Sequence, residues 1–251
     1  MIDIHSHLLP GVDDGSPSLA VSRAVLARFR DEGVEALVCT PHLRASEAAT
    51  VAHADYARRF AELCSAAPGG LSLALGFEIM LDVPGVDLTA SYLSLGGSRA
   101  VLVEFPRSGV PVGAAHELRR LRATGTVPVV AHPERYRGCT LDTVREWRRA
   151  GAVIQTDGMM LLGGGPPAQL AREMLADGLV DCIASDNHGD SRSLTVVRQW
   201  LLELDAPDAA RLLTRDNAAL VLADEPPHPV PPVRVPRGPL VRLRELLRGR
   251  A

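Results

Sequence analysis

The chain has 251 residues, 46% of them hydrophobic and 4% aromatic, with a formal net charge of −3 and an isoelectric point near 6.2. It is long enough to bury one sizeable core, and its acidic balance with few stacking side chains argues against nucleic acid or anionic lipid as a partner. All 27 basic residues are arginine, which excludes Schiff-base lysine chemistry, a P-loop lysine and a carbamylated lysine between metals. Cys39, Cys64, Cys139 and Cys182 show no CxxC spacing and read as reduced thiols. With no signal segment and no apolar run near 18 residues, the expectation is a cytoplasmic protein with no integral membrane segment.

The opening stretch, Met1-Ile2-Asp3-Ile4-His5-Ser6-His7, reads as a strand. If Ile2 and Ile4 face a core, the two-residue period puts His5 and His7 on one side, where they can share a metal ion. Asp3 then shares that side as an acceptor for a ligand N–H. Taken alone, two histidines beside an apolar run are more often satisfied structural residues than ligands. Ser16-Pro17-Ser18 starts a helix carrying Leu19, Val21, Val25, Leu26 and Phe29, which stops at Gly33. Residues 35–40 form a buried-type strand ending at Pro41-His42, and a helix over 47–66 closes at Pro68-Gly69-Gly70. Strand 71–79 carries Glu78; residues 80–99 are irregular, with a short hairpin around 88–95. A fourth strand runs from Val101 to Glu104, and a helix over 112–123 leads to strand 126–131, which ends at His132. A helix over 141–150 precedes strand 152–156, a Gly/Pro-rich loop and a helix over 168–177. The seventh strand, 180–185, ends at Asp186-Asn187-His188, and helices over 194–204 and 208–222 follow. The prolines that begin at Pro226 mark an extended linker into a basic amphipathic segment, 240–250, so the chain divides into a body, 1–222, and a tail, 223–251.

Strands alternating with helices at this spacing predict parallel βαβ units, and seven of them favour a barrel over an open sheet. Chemistry in such barrels gathers at the carboxyl ends of the strands. Six of the seven predicted strand ends carry His, Asp or Glu: His5, His7, His42, Glu78, Glu104, His132, Asp186 and His188. So many donors imply two or three ions, and imidazole with carboxylate but no sulfur suits Mn²⁺, Fe²⁺ or Zn²⁺.

The motifs D-I-H-S-H (3–7), T-P-H (40–42), G-F-E (76–78), V-E-F (103–105), A-H-P-E-R (131–135) and S-D-N-H (185–188) resemble those of PHP (polymerase and histidinol phosphatase) domains, over about residues 1–222. The opening M-I-D-I-H-S-H-L-L-P-G-V-D-D-G and H-P-E-R-Y at 132–136 resemble more closely the bacterial metal-dependent tyrosine phosphatases encoded with capsule and exopolysaccharide genes. The resemblance implies an α/β fold, a distorted (β/α)7 TIM-like barrel, holding up to three ions, often manganese. It also implies a phosphotyrosyl substrate on the tail of a cognate bacterial tyrosine kinase. By the same resemblance the eight strand-end residues are ligands, Glu78 bridges two ions, and a ninth ligand comes from Asp13-Asp14, with Asp14 favoured. Read alone, that pair is an acidic turn before Gly15. Arg135 and Arg192 match arginines that hold phosphate; by themselves both read as surface residues. Metal-activated water would attack phosphorus in line without a phosphoenzyme, and Asp186 or a nearby histidine could protonate the leaving group. A homo-oligomer is expected.

Rival readings are a small-molecule PHP phosphatase of the histidinol-phosphate type, a PHP nuclease and a non-catalytic metal-binding interaction module. Cys139 to Arg145 satisfies the C-x5-R spacing of thiol-based tyrosine phosphatases, but it lacks glycine and holds Asp142, so Thr140 reads instead as a helix start. Gly163-Gly164-Gly165 before Pro166-Pro167 reads as a rim loop. His53, His116 and His228 read as structural or solvated. The tail is expected to be solvated or packed on its own barrel, with docking to a kinase or an anionic membrane as the alternatives.

Overall fold

The computed structural model describes residues 1–235. Its strands are β1 (Ile2–Ser6), β2 (Ala36–Cys39), β3 (His42–Arg44), β4 (Ser72–Leu75), β5 (Glu78–Met80), β6 (Ala100–Glu104), β7 (Val127–Ala131), β8 (Val153–Asp157) and β9 (Cys182–Ala184). Every pairing between them is parallel. β1, β2 and β4 form one sheet, and the other six form a second in the order β3-β5-β6-β7-β8-β9. β2 and β3 are halves of one strand broken at Thr40-Pro41, where proline offers no N–H; β4 and β5 are halves of another, broken at Gly76-Phe77. The ladder carries across both breaks, with Gly76 N–H donating to Cys39 O (2.9 Å) and Glu78 N–H to Pro41 O (3.1 Å).

Counting each broken strand once leaves seven positions, and the ring closes. Asp186 N–H donates to His5 O (3.0 Å), and His7 N–H donates to Asn187 O (2.8 Å). The architecture is therefore a distorted (β/α)7 barrel. Pleat alternation sorts its two cores. Val101 and Val103 of β6 pack with the helix residues Leu118, Leu121 and Trp147. Ala100 and Leu102 instead join Val129, Ala131, Val153, Cys182 and Ala184 in an inner cluster. The helices are α1 (Leu19–Asp31), α2 (His53–Ala66), α3 (Ala114–Ala123), α4 (Leu141–Arg149), α5 (Gly158–Leu162), α6 (Gly165–Ala176), α7 (Leu194–Glu203), α8 (Pro207–Arg211) and α9 (Asn217–Leu222). Ala218 and Val221 of α9 pack with the strand starts, including Ile2 and Val127, which leaves the carboxyl ends free for a site. Among the described residues no helix is long and apolar enough to cross a membrane.

Five local readings change, the helix over 208–222 among them: it is α8, a π-helical turn (Leu212–Asp216) and α9. Strand 71–79 is two strands. The hairpin around 88–95 is a pair of 3-10 turns, Ser91–Leu93 and Leu95–Gly97, because Leu88, Leu93 and Leu95 bury in the core. The helix over 47–66 starts at His53, since Asp82 takes both the N–H (3.0 Å) and the Oγ–H (2.6 Å) of Ser46 and draws that turn to the rim. Part of the Gly/Pro loop after β8 is α5, capped by Asp157 Oδ1 accepting from Met159 N–H (2.8 Å) and anchored by the buried Leu161.

The described part of the proline-rich tail lies on the body. Val230 and Val233 are buried, Val233 N–H donates to Leu175 O (3.3 Å), and Asn217 both donates to and accepts from the His228 backbone (2.9 Å each). The basic segment 240–250 falls outside the described residues.

Candidate metal centre

All nine expected donors meet at the carboxyl mouth. Their ligand-type atoms fall into four overlapping groups: His5, Glu78 and His132; His5, His7 and Asp186; His42, Glu78 and Glu104; and His7, Asp14, His42 and His188. β1 delivers His5, with His7 just beyond its end, and the β1–β2 register shifts between Asp3 and Ser6, so strict alternation does not hold there. The two imidazoles still converge, Nε2 to Nε2 3.2 Å. β3 and β5 pair His42 with Glu78. His132 (φ 33°) and Asp186 (φ 47°) end β7 and β9 in the left-handed region. That conformation costs a non-glycine residue of order 1 kcal/mol or more, and it recurs where function imposes it.

Fixed acceptors orient three of the rings. His5 Nδ1 lies 3.0 Å from Gln155 Oε1, His7 Nδ1 2.7 Å from Asp13 Oδ2, and His188 Nδ1 2.9 Å from the Asp186 carbonyl. Each contact suits an Nδ1–H donor and turns an Nε2 lone pair toward the centre. Asp13 is thereby the orienting carboxylate, which also accepts from the N–H groups of Gly15 (3.0 Å) and His42 (3.2 Å). Asp14 Oδ1 faces His42 Nε2 at 3.4 Å and His188 Nε2 at 3.6 Å. Gly15 is required here by close approach: a Cβ would sit 2.3 Å from His7 Cβ and from its carbonyl oxygen. Asp3 does not take a ligand ring N–H. Its Oδ1 accepts from the backbone of His5 (3.4 Å) and Ser185 (3.1 Å), while Gln155 faces the ring.

The donor set fits cations. Two nitrogens held by one ion at about 2.0–2.1 Å stand roughly 3.0–3.4 Å apart, as His5 and His7 do. Glu78 is fully buried, with Oε1 2.7 Å from His132 Nε2. Its Oε2 makes no hydrogen bond, yet it stands 3.3, 3.3 and 3.0 Å from His5 Nε2, His7 Nε2 and His42 Nδ1. Ring nitrogens around a buried anionic oxygen, outside hydrogen-bonding geometry, form a ligand arrangement. Burial opposes charging His5, but the Glu78 and Asp186 carboxylates outweigh it and raise its pKa to about 9. Against burial, His5 and the hydrogen bond from His132 hold Glu78 well below the usual carboxylate range. Burial, then the charge of Glu78, pushes Glu104 up to about 7.

Asp186 divides its carboxylate. Oδ1 lies 3.2 Å from both His5 Nε2 and His7 Nε2, while Oδ2 meets Arg135 (2.6 Å) and Arg192 (3.4 Å). Burial would raise its pKa, but His5, His7 and Arg135 hold it far below the usual range. It is ionised in this arrangement, which favours the other expected proton donor, a nearby histidine. Arg135 also pairs with Asp157, and Arg192 with Asp190 (2.7 Å). Asn187 holds the loop that delivers Arg192, donating to its carbonyl (2.8 Å).

Four participants escaped the sequence: Gln155, Asp157, Glu134 and the orienting role of Asp13. Asp157 lies one residue past the predicted end of its strand, and Glu134 accepts its N–H (2.8 Å). Burial pushes the Cys139 thiol up to about 12, which disfavours a nucleophilic thiolate there. Thr140 caps α4, and Arg145 is paired with Asp142 (2.6 Å) and Asp177 (2.5 Å). Gly163 offers no anion cradle, because its carbonyl accepts from Arg172 (2.7 Å). His53 stacks on Tyr92 (4.8 Å between centroids), and His116 and His228 are exposed.

Comparison with known proteins gives concordant matches. YwqE of Bacillus subtilis, named a tyrosine-protein phosphatase, is 28% identical over 247 residues, covering 92% of this chain and 96% of that protein. CpsB of Streptococcus pneumoniae, with the same designation, is 32% identical over 140 residues, 54% of this chain and 58% of the relative. A solved chain of the YwqE and CpsB pair, described as metal-dependent tyrosine phosphatases, superposes with a TM-score of 0.76 at 27% identity, covering 94% of this chain and all of that one. The family model for capsular polysaccharide synthesis, CpsB/CapC, matches residues 1–222, and the chain belongs to that family.

Proposed function

We propose that the protein is a metal-dependent protein-tyrosine phosphatase of capsule or exopolysaccharide synthesis, acting in the cytoplasm on the phosphotyrosyl tail of a bacterial tyrosine kinase. The observation that carries this reading is the junction at Asp186, where an oxygen- and nitrogen-rich donor cluster abuts two guanidiniums. The names of YwqE and CpsB support the same reading.

In this mechanism His5, His7, Asp14, His42, Glu78, Glu104, His132, Asp186 and His188 would hold two or three divalent ions, manganese first, with iron or zinc also suited to the donors. When bound, such ions acidify water and neutralise phosphoryl charge. Glu78, whose two oxygens face different imidazoles, would be a ligand that the ions share. Asp157 and Asp190 anchor Arg135 and Arg192, so each planar guanidinium is set before substrate arrives. A tyrosyl leaving group, with a solution pKa of about 10, departs with little acid assistance, in keeping with an ionised Asp186.

The test is turnover of phosphotyrosyl peptide, histidinol phosphate and single-stranded DNA by EDTA-stripped protein, before and after adding Mn²⁺, Co²⁺, Fe²⁺ or Zn²⁺. Stripped protein should be inactive, and at least one metal should restore a preference for the peptide. Hydrolysis that persists without metal would sink the mechanism, and faster turnover of histidinol phosphate would move the protein to the small-molecule phosphatases.

A further inference from the structure

Across β3, β5 and β6 the register aligns His42 with Glu78, and two residues further along it aligns Arg44 with Met80 and Glu104. Two residues complete one pleat, so Arg44 and Met80 share the face of His42 and Glu78 about 6–7 Å nearer the mouth. Beside them opens a groove of about 470 Å³ that runs from Asp14, His42 and Glu104 over Leu43, Met80 and Phe105. Phe105 is fixed from behind by Trp147 and Tyr136 (centroids 5.1 and 5.9 Å). Arg44 and Arg107, both exposed, line the groove together with a single carboxylate outside the donor cluster, Glu47. Among the described residues neither arginine forms an ion pair, in contrast to Arg135 and Arg192. Asp82 at the exit of β5 feels the charge of Arg44, and Glu104 that of Arg107, but Asp82 has both oxygens engaged by Ser46 and neither acid pairs with its arginine. The groove thus offers the half-buried Met80 with the buried Leu43 and Phe105 beside the donor cluster, and two exposed arginines that form no ion pair among the described residues.

We propose that this groove selects the peptide around the phosphotyrosine: the tyrosyl ring lies over the half-buried Met80, with Leu43 and Phe105 buried beneath the groove, and Arg44 and Arg107 receive acidic side chains flanking it. The proposal rests on the tyrosine phosphatase reading above and names its substrate class, acidic phosphotyrosyl peptides.

The test measures kcat/KM of the metal-loaded full chain on three phosphotyrosyl peptides of equal length with acidic, neutral or basic flanks. Hydrolysis of p-nitrophenyl phosphate serves as a check that the centre is assembled. The wild type should favour the acidic over the neutral peptide about tenfold, mainly through KM, as two rim ion pairs allow, and added salt should narrow the gap. In Arg44→Ser/Arg107→Ser the ratio should fall near one. In Arg44→Glu/Arg107→Glu it should invert in favour of the basic peptide, an effect that loss of structure does not produce. Equal wild-type rates on acidic and neutral peptides, or an acidic preference that survives charge reversal, overturns the groove assignment alone. Cleavage of p-nitrophenyl phosphate with no turnover of any phosphotyrosyl peptide overturns the substrate reading, and the groove assignment with it.

Discussion

Asp13 and Asp14 are adjacent and chemically identical, yet the fold gives them different work. Asp13 is tied to His7 Nδ1, Gly15 N–H and His42 N–H, whereas the Asp14 side chain is 72% exposed and meets the Nε2 atoms of His42 and His188 from the mouth. Sequence cannot separate them, because the distinction lies in how the turn folds back over His7, a path that Gly15 alone permits. Asp13→Asn keeps the shape and removes the charge that holds the His7 tautomer. Its apparent metal affinity should fall about 10–100-fold, with excess metal recovering part of the activity. A titration of activity against Mn²⁺ that matches the wild type would contradict this assignment. The eight strand-end donors were legible because strand periodicity and donor type coincide in one sequence. Gln155 was not, since its partner His5 lies 150 residues away and a glutamine in an apolar strand carries no distinctive signal.

At the scale of elements, strand number and order followed from alternation of apolar runs with amphipathic segments. The breaks at Thr40-Pro41 and Gly76-Phe77 did not, although Pro41 and Gly76 mark them in hindsight. A buried ionic contact was equally invisible: Asp181, just before β9, accepts from Ile154 N–H of β8 (2.9 Å) and from Arg148 of α4 (2.8 Å), and its carbonyl accepts from Asn217 of α9 (2.8 Å). Burial raises its pKa to about 6, with Arg148 only partly offsetting this. The native state therefore keeps a proton that the unfolded chain releases near pH 4, so this contribution to stability is present at low pH and is lost as pH rises through about 6. Asp181→Asn cannot titrate. Between about pH 5 and 7.5 the wild type should lose roughly 1–1.5 kcal/mol relative to that variant. Urea unfolding of metal-stripped protein at both pH values measures the difference, and a pH-independent gap would refute it.

At the scale of the molecule, the candidate centre and the closure of the barrel are the same place. Backbone bonds from Asp186 to His5 and from His7 to Asn187 join the last strand to the first; three of those four residues are donors of the cluster, and the fourth, Asn187, lies between two donors, Asp186 and His188. The donors come from the carboxyl ends of β1, β6, β7 and β9, from the first residues of β3 and β5, the second halves of the broken strands, and from Asp14 after β1, so ions held there would tie six strands together. A ligand at 100 times its dissociation constant adds about 2.7 kcal/mol. For a chain of this size that corresponds to roughly 5–10 °C in Tm. Protons compete for the same sites: His5, raised to about 9, must lose its proton to bind, so metal affinity should strengthen as pH rises toward 9 and weaken as it falls. Thermal unfolding with and without Mn²⁺ or Zn²⁺ at about pH 6 and pH 8 should therefore give a larger upward shift at the higher pH. A metal-independent Tm at both pH values would mean that the strand-end donors do not bind ions tightly enough to brace the seam, and the structural half of the metal centre's role would be lost with it.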